Sequence, residues 1–141
     1  MNEEMISRWN KTVKPTDFVL YLGDFAFSGR KRVAELRSKL NGTILLIRGN
    51  HDGSKRTMQK CGFLVHPSET LTIGNMIFSH KPLSFHRTNG IINIHGHIHH
   101  FPNENQEHIN VGVDVTNFKP VPIEHYRKLS NEILENKKRF K

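Results

Sequence analysis

An apolar run that ends in an amide, an imidazole and a carboxylate constrains this chain more than any other feature. Residues 44–47 are Ile-Leu-Leu-Ile, and they lie between Gly42 and the sequence Gly49-Asn50-His51-Asp52. A short apolar run bounded by glycines predicts a buried strand. Open α/β sheets form their active sites just beyond the carboxyl ends of such strands. A polar loop in which Asp52 or Ser54 caps the next helix would give the same residues, so this stretch alone leaves both interpretations open.

The composition predicts one globular domain over residues 1–141. Charged residues make up 24% and hydrophobic residues 35% of the 141 residues, which is enough for a sizeable core. No apolar run approaches the roughly 20 residues that a membrane span needs, so we expect no membrane partner. The single cysteine, Cys61, excludes an intramolecular disulfide and fits a cytoplasmic location. A metal site would therefore use His, Asp and Asn.

The net charge of +8 favours anionic partners such as phosphate esters, nucleotides or nucleic acid. A basic nucleic-acid binder without catalysis is one hypothesis that this charge allows. Such a protein would show binding whose affinity falls with salt and survives chelation. The histidines give a more specific signal, because they are concentrated in residues 80–100.

Hydrophobic periodicity predicts an α/β fold. Helices are expected at residues 3–13, from Ser28 or Gly29 to about residue 40, after a Ser54 cap, and beyond Pro122. The last of these helices carries the apolar stripe Ile123, Tyr126, Leu129 and Ile133. Strands are expected at residues 17–22, 43–48, 70–73, 76–79, 91–94 and 108–114. Strand and helix alternate early and antiparallel strands follow, which predicts a mixed sheet or two packed sheets.

Four of the predicted strands end in metal-ligand residue types. These ends are Gly23-Asp24, Gly49-Asn50-His51-Asp52, Ser79-His80 and Gly96-His97-Ile98-His99. Carboxylate, amide oxygen and imidazole together suit Mn, Fe, Ni or Zn. An extended backbone at residues 97–99 would direct His97 and His99 to the same side, where they could serve two adjacent metal ions.

In this order, the motifs resemble the calcineurin-like metallophosphoesterases, and the small bacterial and phage members above all. That family carries D-x-H, G-D, G-N-H-D/E, H and G-H-x-H, and the last four are present here. The resemblance implies a mixed β-sheet sandwich flanked by helices. It also implies hydrolysis of phosphomonoesters or phosphodiesters by a metal-activated hydroxide at a dinuclear centre.

The resemblance also implies a role for each motif residue. Asp24 would bridge two metal ions, and His99 would bind the first ion. The second ion would be completed by Asn50, His80 and His97. His51 would donate a proton to the leaving oxygen or hold the phosphate. Asp52 would orient His51 through the second ring nitrogen.

The family's first motif, D-x-H, does not occur in these residues. The first metal would then keep only two protein ligands, whereas catalytic zinc sites typically have three. Three explanations stay open. In the first, the chain is an N-terminally truncated enzyme that lacks its first strand. In the second, it is a short form that binds one metal with impaired catalysis or acts as an interaction module. In the third, His95 or His100 replaces the missing ligand of the first metal. A missing strand would leave residues 17–22 with an unpaired edge, so we expect a homo-oligomer that covers it.

Overall fold

The computed structural model describes residues 3–26, 28–84, 91–96, 108–111 and 119–139. These parts contain four helices and seven strands. The helices are α1 (Glu3–Thr12), α2 (Arg30–Ser38), α3 (Lys55–Lys60) and α4 (Ile123–Arg139). The strands are β1 (Phe18–Tyr21), β2 (Thr43–Leu46), β3 (Leu64–Val65), β4 (Thr70–Ile73), β5 (Met76–Ser79), β6 (Ile92–His95) and β7 (His108–Asn110). None of the helices in these parts is long and apolar enough to cross a membrane.

The strands form two sheets, which confirms the predicted mixed α/β architecture. The first sheet has the order β1-β2-β3 and is entirely parallel. The second has the order β4-β5-β6-β7, and only the β4–β5 pair is antiparallel. The expectation that the late strands are all antiparallel is therefore wrong. The connections from β5 to β6 and from β6 to β7 each span twelve residues, long enough for the chain to cross over and return in the same direction.

Two apolar clusters position the sheets. The first packs α1, α2 and α3 against one face of the first sheet, with Trp9, Leu36 and Met58 among its buried members. The second joins Leu22 and Ile47, which directly follow β1 and β2 of the first sheet, to Phe78 and Ile94 of the second sheet. Because residues from both sheets share this second cluster, the sheets pack against each other as a sandwich. The loops that follow β1 and β2 of the first sheet and β5 of the second therefore lie close together.

Most local elements follow the sequence signals. Ser54 caps α3 as expected, since its side chain accepts a hydrogen bond from Thr57 N. Gly74 has φ 57° in the two-residue turn between β4 and β5, a conformation that favours glycine. The short strand β3 was not predicted, because two residues carry no readable periodicity. Ile123 was expected to be buried but is 38% exposed at the first position of α4.

Candidate metal centre

Two glycines allow the loops after β1 and β2 to touch. A methyl group on Gly23 would come within 2.5 Å of Gly49 N and 2.6 Å of His80 Nδ1. A methyl group on Gly49 would overlap the Asp24 carboxyl group. Since real Cβ atoms do not approach other atoms so closely, both positions require a residue without a Cβ. The glycines thus bring the polar residues of the two loops into direct contact.

Asp24 adopts a left-handed backbone conformation with φ 52°. This conformation is strained for most residues with a side chain, and Asp and Asn tolerate it best. The Asp24 side chain is only 5% exposed, and Oδ1 accepts a hydrogen bond of 2.8 Å from His51 N. Strained backbone of this kind is concentrated at functional sites, where the surrounding structure holds it in place.

The Asp52 carboxylate holds the two loops together. Its Oδ2 accepts hydrogen bonds of 2.8 Å from Asp24 N and from Gly49 N. Its Oδ1 accepts a third, of 2.9 Å, from Phe25 N. Hydrogen bonds to a charged acceptor are stronger than those between neutral groups. The Asp52 side chain therefore fixes the backbone that carries Asp24, a contact set that sequence reasoning did not anticipate. The predicted role of Asp52 in orienting His51 stays a prediction.

One ring nitrogen of His80 faces the side chains of the other two candidate ligands, Asp24 and Asn50. Its Nδ1 lies 2.7 Å from the Leu22 carbonyl oxygen, which can only accept a hydrogen bond, so Nδ1 carries a proton. In the neutral ring Nε2 then has a lone pair, and it lies 3.1 Å from Asp24 Oδ2 and 2.9 Å from Asn50 Oδ1. The Leu22 carbonyl is a site group that sequence reasoning missed, because a backbone oxygen leaves no signal in the residue type.

The donor set fits a divalent cation. A carboxylate oxygen and an amide oxygen each lie about 3 Å from the same imidazole nitrogen, and each of the three atoms can offer an electron pair. Among the described residues there is no group of three or more His, Cys, Asp and Glu side chains arranged to hold a metal ion. The arrangement found here reaches three donors only by including Asn50. A fourth predicted ligand, His97, and the predicted first-metal ligand, His99, lie outside the described residues.

Backbone contacts nevertheless place Gly96, the residue before His97, beside the candidate ligands. Gly96 is the last described residue before it, and its N–H donates a hydrogen bond of 2.9 Å to the His80 carbonyl oxygen. A Cβ on Gly96 would lie 3.4 Å from the Leu22 carbonyl oxygen. Three of the four predicted strand ends thus meet directly, and the fourth begins next to them. His95, considered as a substitute ligand, is buried with its ring centroid 6.1 Å from that of His108.

One side of the centre is buried and the other is open. Asp24 and His80 have side chains 5% and 7% exposed, whereas Asn50 and His51 are exposed residues. Lys81 and Arg48, which adjoin these ligands in sequence, are exposed as well. An anionic molecule could therefore approach from the side of His51 without any movement of the core.

The partly buried tyrosine at the end of β1, Tyr21, is close enough to Asp52 and Asp24 to be influenced by their charges. Burial raises the pKa of Tyr21 above its ordinary value near 10, and the negative charges of Asp52 and Asp24 raise it further. The Tyr21 ring packs between Trp9 and Phe25, with centroid distances of 6.1 and 5.5 Å. The phenol therefore stays neutral and adds no charge to the centre.

Comparison with known proteins gives consistent matches. A family model described as calcineurin-like phosphoesterase matches residues 2–141, a range that includes all four strand-end motifs. An uncharacterised protein of Methanocaldococcus jannaschii is 36% identical over 142 residues, which cover 92% of this chain and 74% of that protein. The crystal structure of a protein of unknown function from Aquifex aeolicus matches with a TM-score of 0.71 and 24% identity. That match covers 89% of this chain and 83% of the Aquifex chain, and it concerns the fold alone.

Proposed function

Because the chain belongs to the calcineurin-like phosphoesterase family, we propose that it hydrolyses phosphate monoesters or diesters in a metal-dependent reaction. The observation that carries the proposal is the convergence of Asp24 Oδ2 and Asn50 Oδ1 on His80 Nε2, at 3.1 Å and 2.9 Å from the ring nitrogen. Three electron-pair donors at such distances repel one another unless a proton or a cation lies among them. The family assignment favours the cation.

Asp24, Asn50 and His80, together with His97, would hold one divalent ion, and His99 with Asp24 would hold a second. Mn, Fe, Ni or Zn suit this combination of oxygen and imidazole donors. When bound, such an ion would activate water for attack on phosphorus and neutralise phosphate charge. His80 is prepared for ligation because the Leu22 carbonyl fixes its tautomer, leaving Nε2 as the ligating atom.

His51 would act on the substrate. Its backbone N–H is tied to Asp24 Oδ1 at 2.8 Å, while the residue is exposed at the open side of the centre. An imidazole in that place can donate a proton to the leaving oxygen or hydrogen-bond a phosphate oxygen. The backbone bond holds the His51 main chain beside the Asp24 carboxylate.

The charge of the molecule supports an anionic substrate. With a net charge of +8, the chain attracts phosphate esters, including nucleotides or nucleic acid. The buried free thiol of Cys61 supports a reducing compartment such as the cytoplasm. We also propose that residues 1–141 belong to a single domain.

Metal content and hydrolysis of an aryl phosphate test the function together. After loading with Mn²⁺ and desalting, the wild type should retain metal and cleave the ester, and a chelator should abolish cleavage. Asp24→Asn and His80→Gln should lose both metal and activity. His51→Gln should keep its metal and lose activity about 10²- to 10⁴-fold. His125→Gln, an exposed residue on α4, is the matched control and should behave as the wild type.

The possible outcomes separate the alternatives. Activity that is unchanged in both Asp24→Asn and His51→Gln would contradict the proposal. Retention of one metal per chain without hydrolysis would instead support the impaired single-metal or interaction module that the missing D-x-H motif suggests.

A further inference from the structure

The second sheet has an apolar face and a polar face, and the polar face is buried as well. Alternate residues of a strand point to opposite faces, and the registers of β5, β6 and β7 align these residues across the sheet. The apolar face belongs to the cluster between the two sheets. The other face carries five polar side chains that are at most 7% exposed, namely Ser79, Asn93, His95, His108 and Asn110. Buried polar groups cost free energy unless they are hydrogen-bonded, so the partners of these side chains indicate their role.

Asn93 of β6 is fully buried on this polar face and uses its whole side-chain amide. Its Nδ2 group donates hydrogen bonds of 3.0 Å to the Ile77 carbonyl oxygen and to Ser79 Oγ. Its Oδ1 accepts a hydrogen bond of 2.8 Å from Leu83 N. Since a carbonyl can only accept and a backbone N–H can only donate, these partners fix the orientation of the amide. Asn93 thus ties β5 to the chain that follows it.

His108 of β7 binds the other backbone group of Leu83. Its Nε2 donates a hydrogen bond of 2.6 Å to the Leu83 carbonyl oxygen. Leu83 is the last residue of a short segment, residues 80–83, that follows β5 and begins with the candidate ligand His80. We call it the His80 segment. Side chains from the polar face therefore hold both backbone groups at its far end.

The beginning of the His80 segment is held in a similar way. Ser79 Oγ, which accepts the hydrogen bond from Asn93, donates one of 2.6 Å to the Lys81 carbonyl oxygen. The carbonyl oxygen of His80 accepts a hydrogen bond of 2.9 Å from Gly96 N at the end of β6. The backbone of the segment is thus tied to the interior of the second sheet along its length.

The position of this segment determines where the His80 ring can lie. The ring reaches across to the first sheet, where Nδ1 lies 2.7 Å from the Leu22 carbonyl oxygen. A methyl group on Gly23 would come within 2.6 Å of the same nitrogen, so the ring is closely packed there. A displacement of the His80 backbone would therefore change the distances from Nε2 to Asp24 and Asn50.

We propose that Asn93 and His108 are positioning residues of the candidate metal centre, which hold the His80 segment so that His80 Nε2 meets Asp24 and Asn50. This inference rests on the metal-binding part of the proposed function. Neither residue would contact the ion or the substrate. Apolar side chains of the same shape can replace a hydrogen-bonded pair of side chains at little cost in stability. The polar choice is instead explained by the backbone groups of the His80 segment, which need partners when they are buried.

The His80 ring reports this role in the absence of metal. In the metal-free wild type, the hydrogen-bonded Nδ1–H of His80 should give a proton NMR signal that exchanges slowly with water. Asn93→Leu removes all three hydrogen bonds of the amide and keeps a side chain of similar shape. It should broaden or abolish the His80 signal and make the Leu83 amide exchange with solvent at least ten-fold faster.

Titration calorimetry with Mn²⁺ measures the effect on the centre. Asn93→Leu and His108→Leu should each weaken Mn²⁺ binding about ten-fold, the lower end for groups that orient a metal ligand, because they act through the backbone. In His108→Gln the side-chain amide can donate from the place of Nε2, so this variant should recover most of the affinity. Ile92→Val is the matched control, because it shortens a buried side chain on the apolar face of β6. It should lower the urea midpoint and leave the Mn²⁺ affinity unchanged.

Ser79→Ala provides a milder test that does not depend on the folding of Asn93→Leu. It deletes only the hydroxyl between Asn93 and the Lys81 carbonyl, and it should shift the His80 signal and weaken Mn²⁺ binding in the same direction.

Two results would overturn the proposal. The first is an unchanged His80 signal and unchanged Leu83 exchange in the folded variants of Asn93 and Ser79. The second is a loss of Mn²⁺ affinity in Ile92→Val as large as that in His108→Leu at the same loss of stability, because the role would then be stability alone. A wild type that binds no Mn²⁺ would contradict the proposed function, while the NMR and exchange measurements would still decide whether these residues position His80.

Discussion

At the scale of single residues, Asp52 is the group on which the geometry of the centre depends most. Three backbone N–H groups from two loops, at Asp24, Phe25 and Gly49, converge on its carboxylate at 2.8–2.9 Å. This convergence holds Asp24 in its left-handed conformation and so sets the direction of the Asp24 carboxylate. Asp52 would thus influence a cation at the candidate centre through Asp24.

Asp52→Asn should therefore weaken metal binding as well as stability. The amide keeps one acceptor oxygen and turns an NH₂ group toward backbone N–H donors. We expect the free energy of unfolding to fall by about 1–3 kcal/mol. The affinity for Mn²⁺ should fall about 10- to 100-fold, as for other groups that orient a metal ligand. Urea unfolding and titration calorimetry measure the two effects, and hydrogen exchange at Asp24 and Phe25 should accelerate.

Asp17→Asn is the matched control for this change. Asp17 also accepts a backbone hydrogen bond, from Lys14 N at 2.8 Å, but it lies in an exposed turn away from the candidate metal centre. It should leave the Mn²⁺ affinity unchanged. If Asp52→Asn binds Mn²⁺ as tightly as the wild type, the carboxylate supports the fold and has no influence on the ligands.

Residue types alone identified the candidate ligands, but not the groups that hold them in place. The patterns at Gly23-Asp24, Asn50 and His80 carried enough chemistry to be recognised, and the structure brings these residues together. The Leu22 carbonyl and the backbone partners of Asp52 could not be predicted, because any residue supplies such groups. Their positions depend on how two loops that are distant in sequence pack.

At the scale of elements, β1 combines a core role with an electrostatic one. Its last residue, Tyr21, packs on the cluster beneath α1, and the nearby Asp52 and Asp24 carboxylates add to the burial that raises its pKa. In the unfolded chain the phenol titrates near its ordinary value of about 10. Above that pH the unfolded chain loses a proton that the folded chain retains. The free energy of unfolding consequently falls as the pH rises.

Tyr21→Phe should remove this part of the alkaline instability. Phenylalanine preserves the ring packing and has no proton to lose. Between pH 10 and the higher folded pKa, the wild type should lose up to about 1.4 kcal/mol per pH unit relative to the variant. Urea unfolding at pH 9, 10 and 11 measures the difference.

Tyr126→Phe provides the comparison. Partial burial alone raises the pKa of Tyr126, without a contribution from carboxylates. Its pH-dependent difference from the wild type should therefore be smaller. Equal pH dependence of wild type and Tyr21→Phe would show that the Tyr21 phenol does not carry the effect.

Elements with local signals were predictable, and their pairing was not. The β4–β5 hairpin follows from Gly74 and the flanking apolar residues, and α3 follows from Ser54. The parallel direction of β5, β6 and β7 depends on connections whose path leaves no periodic pattern. The two-residue strand β3 is recognisable only by its pairing with Leu45 and Leu46.

At the scale of the whole molecule, the candidate centre lies at the junction of the two sheets. Asp24 and Asn50 follow strands of the first sheet, and His80 follows β5 of the second. A cation bound by all three would link the sheets, and it would bind the folded state in preference to the unfolded one. Ligands of this kind stabilise a protein in proportion to the logarithm of their concentration.

Metal removal should therefore lower the thermal stability. With free Mn²⁺ at 100 times its dissociation constant, the stabilisation is about 2.7 kcal/mol. For a chain of this size, that corresponds to a rise in Tm of about 5–10 °C. Scanning calorimetry with Mn²⁺ and with EDTA measures the shift. Asp24→Asn is expected to show no shift, and a shift of the same size in that variant would place the metal elsewhere.

The left-handed conformation of Asp24 has a consequence for how this position can vary. Only glycine, asparagine and aspartate adopt a φ near 52° without much strain. Alanine there would alter the shape of the loop as well as remove a carboxylate, so an alanine scan would confuse the two losses. Asparagine separates them. A related protein that had lost catalysis but kept the fold would therefore still need glycine, asparagine or aspartate at position 24. The backbone conformation imposes this requirement independently of the chemistry.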